Sequence, residues 1–366
     1  MRGFTSLDRR FPNSTNSRSE EDLLNTDSED FEIASPALDQ WLLENVSGYA
    51  GPLHLQKLEG GQSNPTFKLI ARSGNCILRR KPIGSLLSSA HAVDREFRIL
   101  RALADTDVPV ARAYALCEDD SVIGSSFYVM DFVDGRIFWD TRLPGLLSTE
   151  RRAIFESMND TLAKLHTLDY AAIGLADFGK PGNYLARQIA RWTKQYRASE
   201  IVPIEAMDRL IDWLPPRIPP MNETRVVHGD YKMDNMIFHK AEPRILAVID
   251  WELSTLGDPL VDFAYHVMAW RIAPDLFRGL AGADLQQLGI PSEEEHVASY
   301  CRLTNRSGIP NLNFYIVFCM FRLAAILQGI LKRAADSTAA SNSAVAVGSR
   351  GRAIAEQGWA LAQTLE

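Results

Sequence analysis

Cysteine is scarce in this sequence. Four residues, Cys76, Cys117, Cys301 and Cys319, stand far apart, with no C-x-x-C pair among them. That spacing offers neither a zinc site nor a disulfide framework, and it fits a reducing, cytoplasmic setting. Blocks of basic residues are missing as well. The net charge is −7 and the lysines and arginines are scattered, so counterion release has no concentrated surface to act on and nucleic acid is not an expected partner. The opening residues carry Arg2, Arg9 and Arg10 but no apolar core, and Glu20, Glu21, Asp22 and Asp27 soon follow. Neither a secretory signal nor an acid-poor transit peptide has that pattern. Solenoid-type repeats are absent too. Long apolar runs are limited to one, Phe314 to Leu331, and Arg322 sits near its middle. A central arginine costs about 2.5–3.5 kcal/mol on insertion scales, so the run is expected to be a buried helix, with no membrane partner.

What is present is enough apolar material, 46% of 366 residues, to bury one large core or two smaller ones. Residues 1–34 are polar and charged with few apolar side chains, which predicts a flexible tail. Ser35 and Pro36 form a helix start, and Leu38, Leu42 and Val46 then share one face. From about 53 to 81 the short runs LHLQKLE, TFKLIAR and NCILRRK alternate between the turns GGQSNP and SGN, which predicts an antiparallel meander. A helix capped by Ser88 or Ser89 and running to about Ala104 follows, with Val93, Phe97, Leu100 and Leu103 as its stripe. Two more strands are expected near 112–117 and 125–132. Beyond Gly135 the pattern is mainly helical, interrupted by Pro215, Pro216, Pro219 and Pro220 and by the strand-like runs TRVVHG and RILAVIDW. The expected architecture is α+β: a tail, a small lobe over 35–132 with five antiparallel strands and a helix, and a larger helical lobe over 133–366.

The densest polar cluster is HGDYKMDNMIF at 228–238, followed by VIDWE at 248–252. Asp230 precedes Asn235 by five residues, Lys232 lies between them, and Asp250 comes on the next strand-like run, so the three oxygen-bearing groups can converge on one edge of a hairpin. Phosphoryl transfer needs such a set, because its loose transition state spreads charge over the transferred oxygens and catalysis is mostly positioning and neutralisation. Asn235 and Asp250 are hard oxygen ligands suited to Mg²⁺. Lys232 can meet a γ-phosphate as a point charge, and Asp230 can orient an acceptor hydroxyl and take its proton late. Either short motif alone could be a polar turn. Their ordered occurrence favours the functional reading.

H-G-D-x-x-x-x-N followed by I-D resembles the signature of the aminoglycoside phosphotransferase and choline kinase family, relatives of the protein kinases. Gly257-Asp258-Pro259-Leu260-Val261-Asp262 resembles that family's GDP-x-x-D segment, and LAKLHTLD at 162–169 its helix ending in L-H. GGQSNPTF at 60–67 looks like its nucleotide-covering loop. ILRRKP and AHAVDREFRIL resemble, more narrowly, the kinase-like domain fused to acyl-CoA dehydrogenases. The resemblance spans roughly 36–340 and implies a bilobal protein-kinase-like fold that uses Mg²⁺ and ATP, or another nucleoside triphosphate, on a small hydroxylated substrate. It implies nucleotide contacts at Gly60, Gly61, Ser63 and Asn64, and a strand cation held by Glu96. Arg79 and Lys81 share a strand face, and alignment favours Arg79 where the kinase pattern has lysine. FYVMDFVDG at 127–135 resembles the hinge, with backbone groups of about Asp131 to Val133 meeting adenine. Asp262 is implied as an anchor for the catalytic loop. His228, His166 and His266 read as packed, hydrogen-bonded histidines, and Gly60-Gly61 by itself is an ordinary hairpin turn.

A small-molecule kinase acting on a hydroxy acid or its acyl thioester is the leading reading. Aminoglycoside phosphorylation and a nucleotide-binding pseudokinase are the rivals; intact Asp230, Lys232, Asn235 and Asp250 speak against the second. Protein phosphorylation fits poorly, since the seven residues between Asp250 and Asp258 hold no A-P-E-like segment and leave little room for a peptide platform.

Overall fold

The computed structural model describes residues 36–58, 64–82, 93–220, 223–336 and 342–365. The expected tail, the Ser35 cap, Gly60, Gly61, Ser63 and the Ser88/Ser89 helix start lie outside the described residues.

The chain opens with α1 (Pro36–Asn45), then β1 (His54–Lys57), β2 (Thr66–Ala71), β3 (Gly74–Arg80), α2 (Val93–Leu103), β4 (Ala113–Cys117) and β5 (Phe127–Asp131). The strands form one sheet in the order β1-β2-β3-β5-β4, antiparallel throughout. Because side chains alternate across a sheet, its two faces have separate uses. Phe67, Leu69, Leu78, Phe127 and Val129 bury one face with Leu38 and Leu42 of α1. On the other face the Arg79↔Tyr128 pair is turned towards α2. The alternation expected from the sequence therefore gives both the sheet and the direction in which its cation points.

After the sheet come α3 (Ser148–Thr167), α4 (Tyr184–Ser199), α5 (Glu205–Trp213), β6 (Arg225–Val227), β7 (Met236–Phe238), β8 (Ile245–Val248), β9 (Thr255–Gly257), α6 (Pro259–Val267), α7 (Glu293–Leu303), α8 (Leu312–Ala335) and α9 (Gly351–Gln363), with shorter turns between. The strand-like runs TRVVHG and RILAVIDW do not pair with each other. β6 pairs with β9, while β7 pairs with β8. The MIF and TLG strands, which complete these two ladders, are three residues each, too short to show an alternation. Isolated bridges Val110↔Val248 and Arg136↔Phe238 tie the second ladder to the segments flanking β4 and β5.

The long apolar helix α8 packs against α4, α6 and α9, and 78% of its most apolar window is buried within the protein. Arg322 is 4% exposed on it. Its guanidinium donates to the Gly229 carbonyl and lies 5.4 Å from the Trp192 ring centroid and 5.0 Å from that of Tyr265. Contacts of this kind compensate for the burial of a cation. The four cysteines are free.

Candidate active site

The loop from β6 to β7 carries Asp230, Lys232 and Asn235, and the turn after β8 carries Asp250. Two backbone features hold the loop. Gly229 has φ +85°, and a Cβ there would stand 2.7 Å from the Leu253 carbonyl oxygen, so no other residue fits. Asp262, in the first turn of α6, accepts the His228 N–H at 2.7 Å on one oxygen and the Gly229 N–H at 2.9 Å on the other. His166 Nε2 lies 3.3 Å from the same carboxylate, and its Nδ1 is 2.7 Å from the Tyr300 hydroxyl. Burial pushes the Asp262 carboxyl up, but His166 and the loop donors outweigh it, and it sits below the ordinary carboxylate range.

Asp230 accepts from Lys232 Nζ at 2.7 Å and from Asn235 Nδ2 at 2.9 Å. Burial alone would raise this carboxyl; Lys232, with Arg322 and His228 further out, holds it below its usual value. Burial and the nearby Asp230 carboxylate push the Tyr265 hydroxyl well above its ordinary value. His228 accepts the Asp230 N–H on Nδ1 at 3.1 Å and places Nε2 3.0 Å from the Ile249 carbonyl. It thus couples the Asp230 loop to the Asp250 turn through its ring, as a packed histidine. His266 stands 3.0 Å from His296 through Nε2, and burial pushes it down to about 4, so it is a neutral core residue.

Asn235 and Asp250 are neighbours through the ladder: the Ile249 N–H donates to the Asn235 carbonyl at 2.9 Å. The Asn235 amide nitrogen is committed to Asp230, both to its side chain and to its carbonyl, which leaves Oδ1 as the atom for a cation. Asp250 is left-handed at φ 68°, ψ 56°, a conformation that costs a non-glycine residue on the order of 1 kcal/mol and collects at functional sites. Among the described residues no group of three His, Cys, Asp or Glu side chains forms a metal cage. One amide oxygen beside one carboxylate is the donor set of a Mg²⁺ that takes its remaining ligands from phosphates and water. These residues fit that ion.

Arg79 crosses from the sheet to this loop. Its Nε is 3.1 Å from Glu96 Oε2 and one of its terminal nitrogens is 2.9 Å from Asp250 Oδ1. Glu96 is 1% exposed on α2 and accepts from Asn64 Nδ2 at 2.7 Å and from the Tyr128 hydroxyl at 2.9 Å. Burial disfavours the Arg79 cation, yet Glu96 and Asp250 raise its pKa, so it stays charged. The two strand cations differ in direction: Arg79 reaches Glu96, whereas Lys81 is half-buried and its backbone N–H donates to the Ser126 carbonyl. At the hinge, the Asp131 N–H donates to the Arg112 carbonyl at 2.9 Å and its carboxylate accepts from the Tyr114 hydroxyl. The Asp131 N–H is therefore committed within the sheet, and Val133 is half-buried in the linker beyond β5. Asn64 is placed by Glu96, and Gly60, Gly61 and Ser63 lie outside the described residues.

Beside Lys232 opens a narrow cavity of about 50 Å³, walled by Phe138, Phe155, Met158, Met268, Ile272 and Phe277. Its polar lining includes Lys232, Asp234, Tyr265 and Arg278, and Arg278 pairs with Asp234. Sequence reasoning missed Tyr265, Arg278 and the role of Arg322. A lone arginine inside an apolar helix was the available signal for the last; the other two carry none.

The model of the phosphotransferase enzyme family, APH, matches residues 54–296. Acyl-CoA dehydrogenase family member 10 of Mus musculus is 45% identical over 330 residues, 89% of this chain but 31% of that protein. The chain thus spans about a third of that relative's length. A crystal structure from Ralstonia eutropha JMP134, whose own assignment as an aminoglycoside phosphotransferase is provisional, is 53% identical with a TM-score of 0.82, covering 90% of this chain and 98% of that one. A thermostable mutant of aminoglycoside phosphotransferase APH(4)-Ia, in ternary complex with AMP-PNP and hygromycin B, shares the fold at 18% identity and a TM-score of 0.56, covering 88% of this chain and 99% of that one. The bilobal kinase-like fold expected from the sequence is the fold of these neighbours.

Proposed function

The chain belongs to the phosphotransferase enzyme family, and from that premise we propose that it transfers the γ-phosphoryl group of ATP to the hydroxyl of a hydroxy acid or its acyl thioester. Asn235 and Asp250 would hold Mg²⁺, which would supply positive charge to neutralise the phosphates. Arg79, held by Glu96, meets the α- and β-phosphates, and Lys232 meets the transferred group. The bond from the γ-phosphorus to the bridging oxygen breaks as the acceptor oxygen bonds that phosphorus, and the hydroxyl proton passes to Asp230. With its pKa held down, Asp230 is a weak base, so it orients the hydroxyl and takes the proton late. Charge in this order leaves ADP and a phosphate ester.

The observation that carries the acceptor is the lining of the cavity beside Lys232. Its walls are apolar and aromatic, and its charged groups are two cations, Lys232 and Arg278, against one carboxylate, Asp234. Polycations such as aminoglycosides need the opposite balance. A narrow apolar pocket with a cationic side suits a slim aliphatic body bearing an acid or thioester, and the mouse relative, about a third of whose length this chain spans, is named as a member of the acyl-CoA dehydrogenase family. The test is acceptor-dependent ADP release from a panel of hydroxy acids, their coenzyme A thioesters, amino alcohols, sugars and aminoglycosides. Turnover confined to the acids or thioesters supports the reading; preference for aminoglycosides, sugars or amino alcohols overturns the acceptor while leaving the phosphotransfer chemistry.

A further inference from the structure

A cation stands inside α8 where packing alone would place an apolar side chain. The residues one turn either side of Arg322, namely Phe318, Cys319, Ala325 and Ile326, are apolar or small, and Arg322 itself is 4% exposed. Among the described residues no carboxylate forms an ion pair with it; the carboxylate whose field it feels is that of Asp230. The Trp192 and Tyr265 rings and the Gly229 carbonyl offset part of the penalty of burial, yet Nε is buried without an acceptor. A buried charge without a counter-ion is destabilising, and well-packed apolar groups commonly replace buried ionic ones with no loss of stability. Stability therefore gives no reason for an arginine here.

The contact it makes supplies one. The peptide joining Gly229 to Asp230 is held on both edges: its carbonyl accepts from the Arg322 guanidinium, and its N–H donates to His228 Nδ1 at 3.1 Å. Glycine has the widest range of φ and ψ, so sterics at 229 do not set the plane of this peptide and its hydrogen bonds do. Turning the plane over would set N–H against guanidinium, donor against donor, and oxygen against the lone pair of His228 Nδ1. Any rotation of the plane passes to φ of Asp230 and moves its carboxylate away from Lys232 Nζ and Asn235 Nδ2, which it meets at 2.7 and 2.9 Å. Asp262 fixes the loop just upstream, through the His228 and Gly229 N–H groups. Arg322 acts at the next peptide, the one from which Asp230 departs.

We propose that Arg322 is a positioning residue for phosphoryl transfer: from α8 it holds the plane of the Gly229–Asp230 peptide and so keeps the Asp230 carboxylate where the acceptor hydroxyl must meet it. This role rests on Asp230 being the group that receives the acceptor's proton, and it holds for any acceptor. Misplacing a reacting group by about 1 Å can slow a reaction ~10²-fold, so a side chain that touches neither nucleotide nor acceptor can matter on that scale.

The full chain tests it with Mg·ATP alone, water serving as the acceptor, and with an NMR reading that needs no turnover. Glycine is followed directly by aspartate only at Gly229–Asp230 and Gly257–Asp258, so glycine labelled at its carbonyl carbon together with aspartate labelled at nitrogen gives one cross-peak for the held peptide and one for reference. In Arg322→Met the Gly229–Asp230 peak should move further than the reference, whose peptide makes no bond to Arg322. The kcat of Mg·ATP hydrolysis should fall about 10–100-fold, with KM for Mg·ATP within about twofold of wild type. Arg322→Lys keeps a cation but presents a single nitrogen on a shorter stem; it should lie between wild type and the Met variant in both readings, and it decides the matter where the Met variant does not fold. A folded Met or Lys variant whose Gly229–Asp230 peak moves no further than the reference, whose kcat is unchanged, or whose loss lies in KM instead of kcat overturns the proposal. Asp230→Asn is measured beside them: unchanged hydrolysis there removes the role of Asp230 and that of Arg322 with it, whereas slow hydrolysis in Asp230→Asn beside wild-type hydrolysis in Arg322→Met strikes only the positioning role of Arg322.

Discussion

Replacing Asp262 by asparagine tests whether a buried carboxylate holds the catalytic loop in place. The substitution keeps size and shape, but an amide accepts on one oxygen only. Asp262 uses both, one towards His228 N–H at 2.7 Å and one towards Gly229 N–H at 2.9 Å. In Asp262→Asn, one of those donors must face an NH₂ group. The loss is one charge-assisted bond, about 1.5–3 kcal/mol, together with about 1–3 kcal/mol for a buried N–H left without an acceptor. We expect about 3–5 kcal/mol of destabilisation, a large share of the ~5–15 kcal/mol typical of a folded domain. Urea denaturation followed by circular dichroism measures it, and turnover should fall as well, because Asp230 follows the released loop directly. The pH dependence gives a second check. The folded Asp262 carboxyl sits below its ordinary value, so its stabilisation is fully present above the unfolded pKa of about 4 and is lost as pH falls through the folded value. The gap between wild type and variant should be constant from about pH 5 upward and close in stronger acid. A variant within about 0.5 kcal/mol of wild type, the range of an ordinary surface change, and turning over normally would refute the anchoring role.

Asp230→Asn should keep nucleotide binding and slow transfer about 10²–10⁴-fold, the scale of a positioned acid–base group, in single-turnover kinetics; unchanged transfer would remove Asp230 from its role. Asp250→Ala should weaken the magnesium-dependent part of ATP binding by at least about tenfold, since even outer-shell partners of metal ligands commonly cost that much, and calorimetry with and without chelator would expose an unaffected affinity. Asp258 caps α6 by accepting the Leu260 N–H, yet burial pushes its carboxyl up to about 6. A buried acid with a raised pKa binds protons the unfolded chain has released, so stability falls as pH rises from about 4 to 6. Asp258→Asn keeps an acceptor for the cap and should be more stable than wild type at pH 8, by up to about 3 kcal/mol, with the advantage gone near pH 4; thermal melts at both pH values decide it.

Legibility in the sequence followed the range of the interaction. The five-stranded sheet was readable because LHLQKLE, TFKLIAR and NCILRRK alternate and are joined by short turns, and a strand's two faces are set by its own residues. The pairing β6 with β9 and β7 with β8 was not, because three-residue strands carry no periodicity and gain their partners only in the folded chain. Asp230, Lys232 and Asn235 lie within six residues of each other, so their convergence could be argued from spacing. The bond from Arg79 to Asp250 joins residues 171 apart, and only the closure of the sheet onto the helical lobe brings them together. Alternation left Arg79 and Lys81 equivalent on one face; the placement of Glu96 on α2 separated them. Composition could say that Arg322 belongs in a buried helix, but not that its guanidinium would meet the Gly229 carbonyl from α8.

What the chain order determined alone was the chemistry: two oxygen ligands, a lysine and an aspartate at loop spacing, a set whose reaction class follows from its functional groups. What tertiary structure decided was the environment of that set, including the apolar cavity beside Lys232, the lowered carboxyls of Asp230 and Asp262, and the buried guanidinium of Arg322. Those depend on which distant side chains exclude water from a site, and burial is a property of the assembled fold that no local stretch of sequence contains.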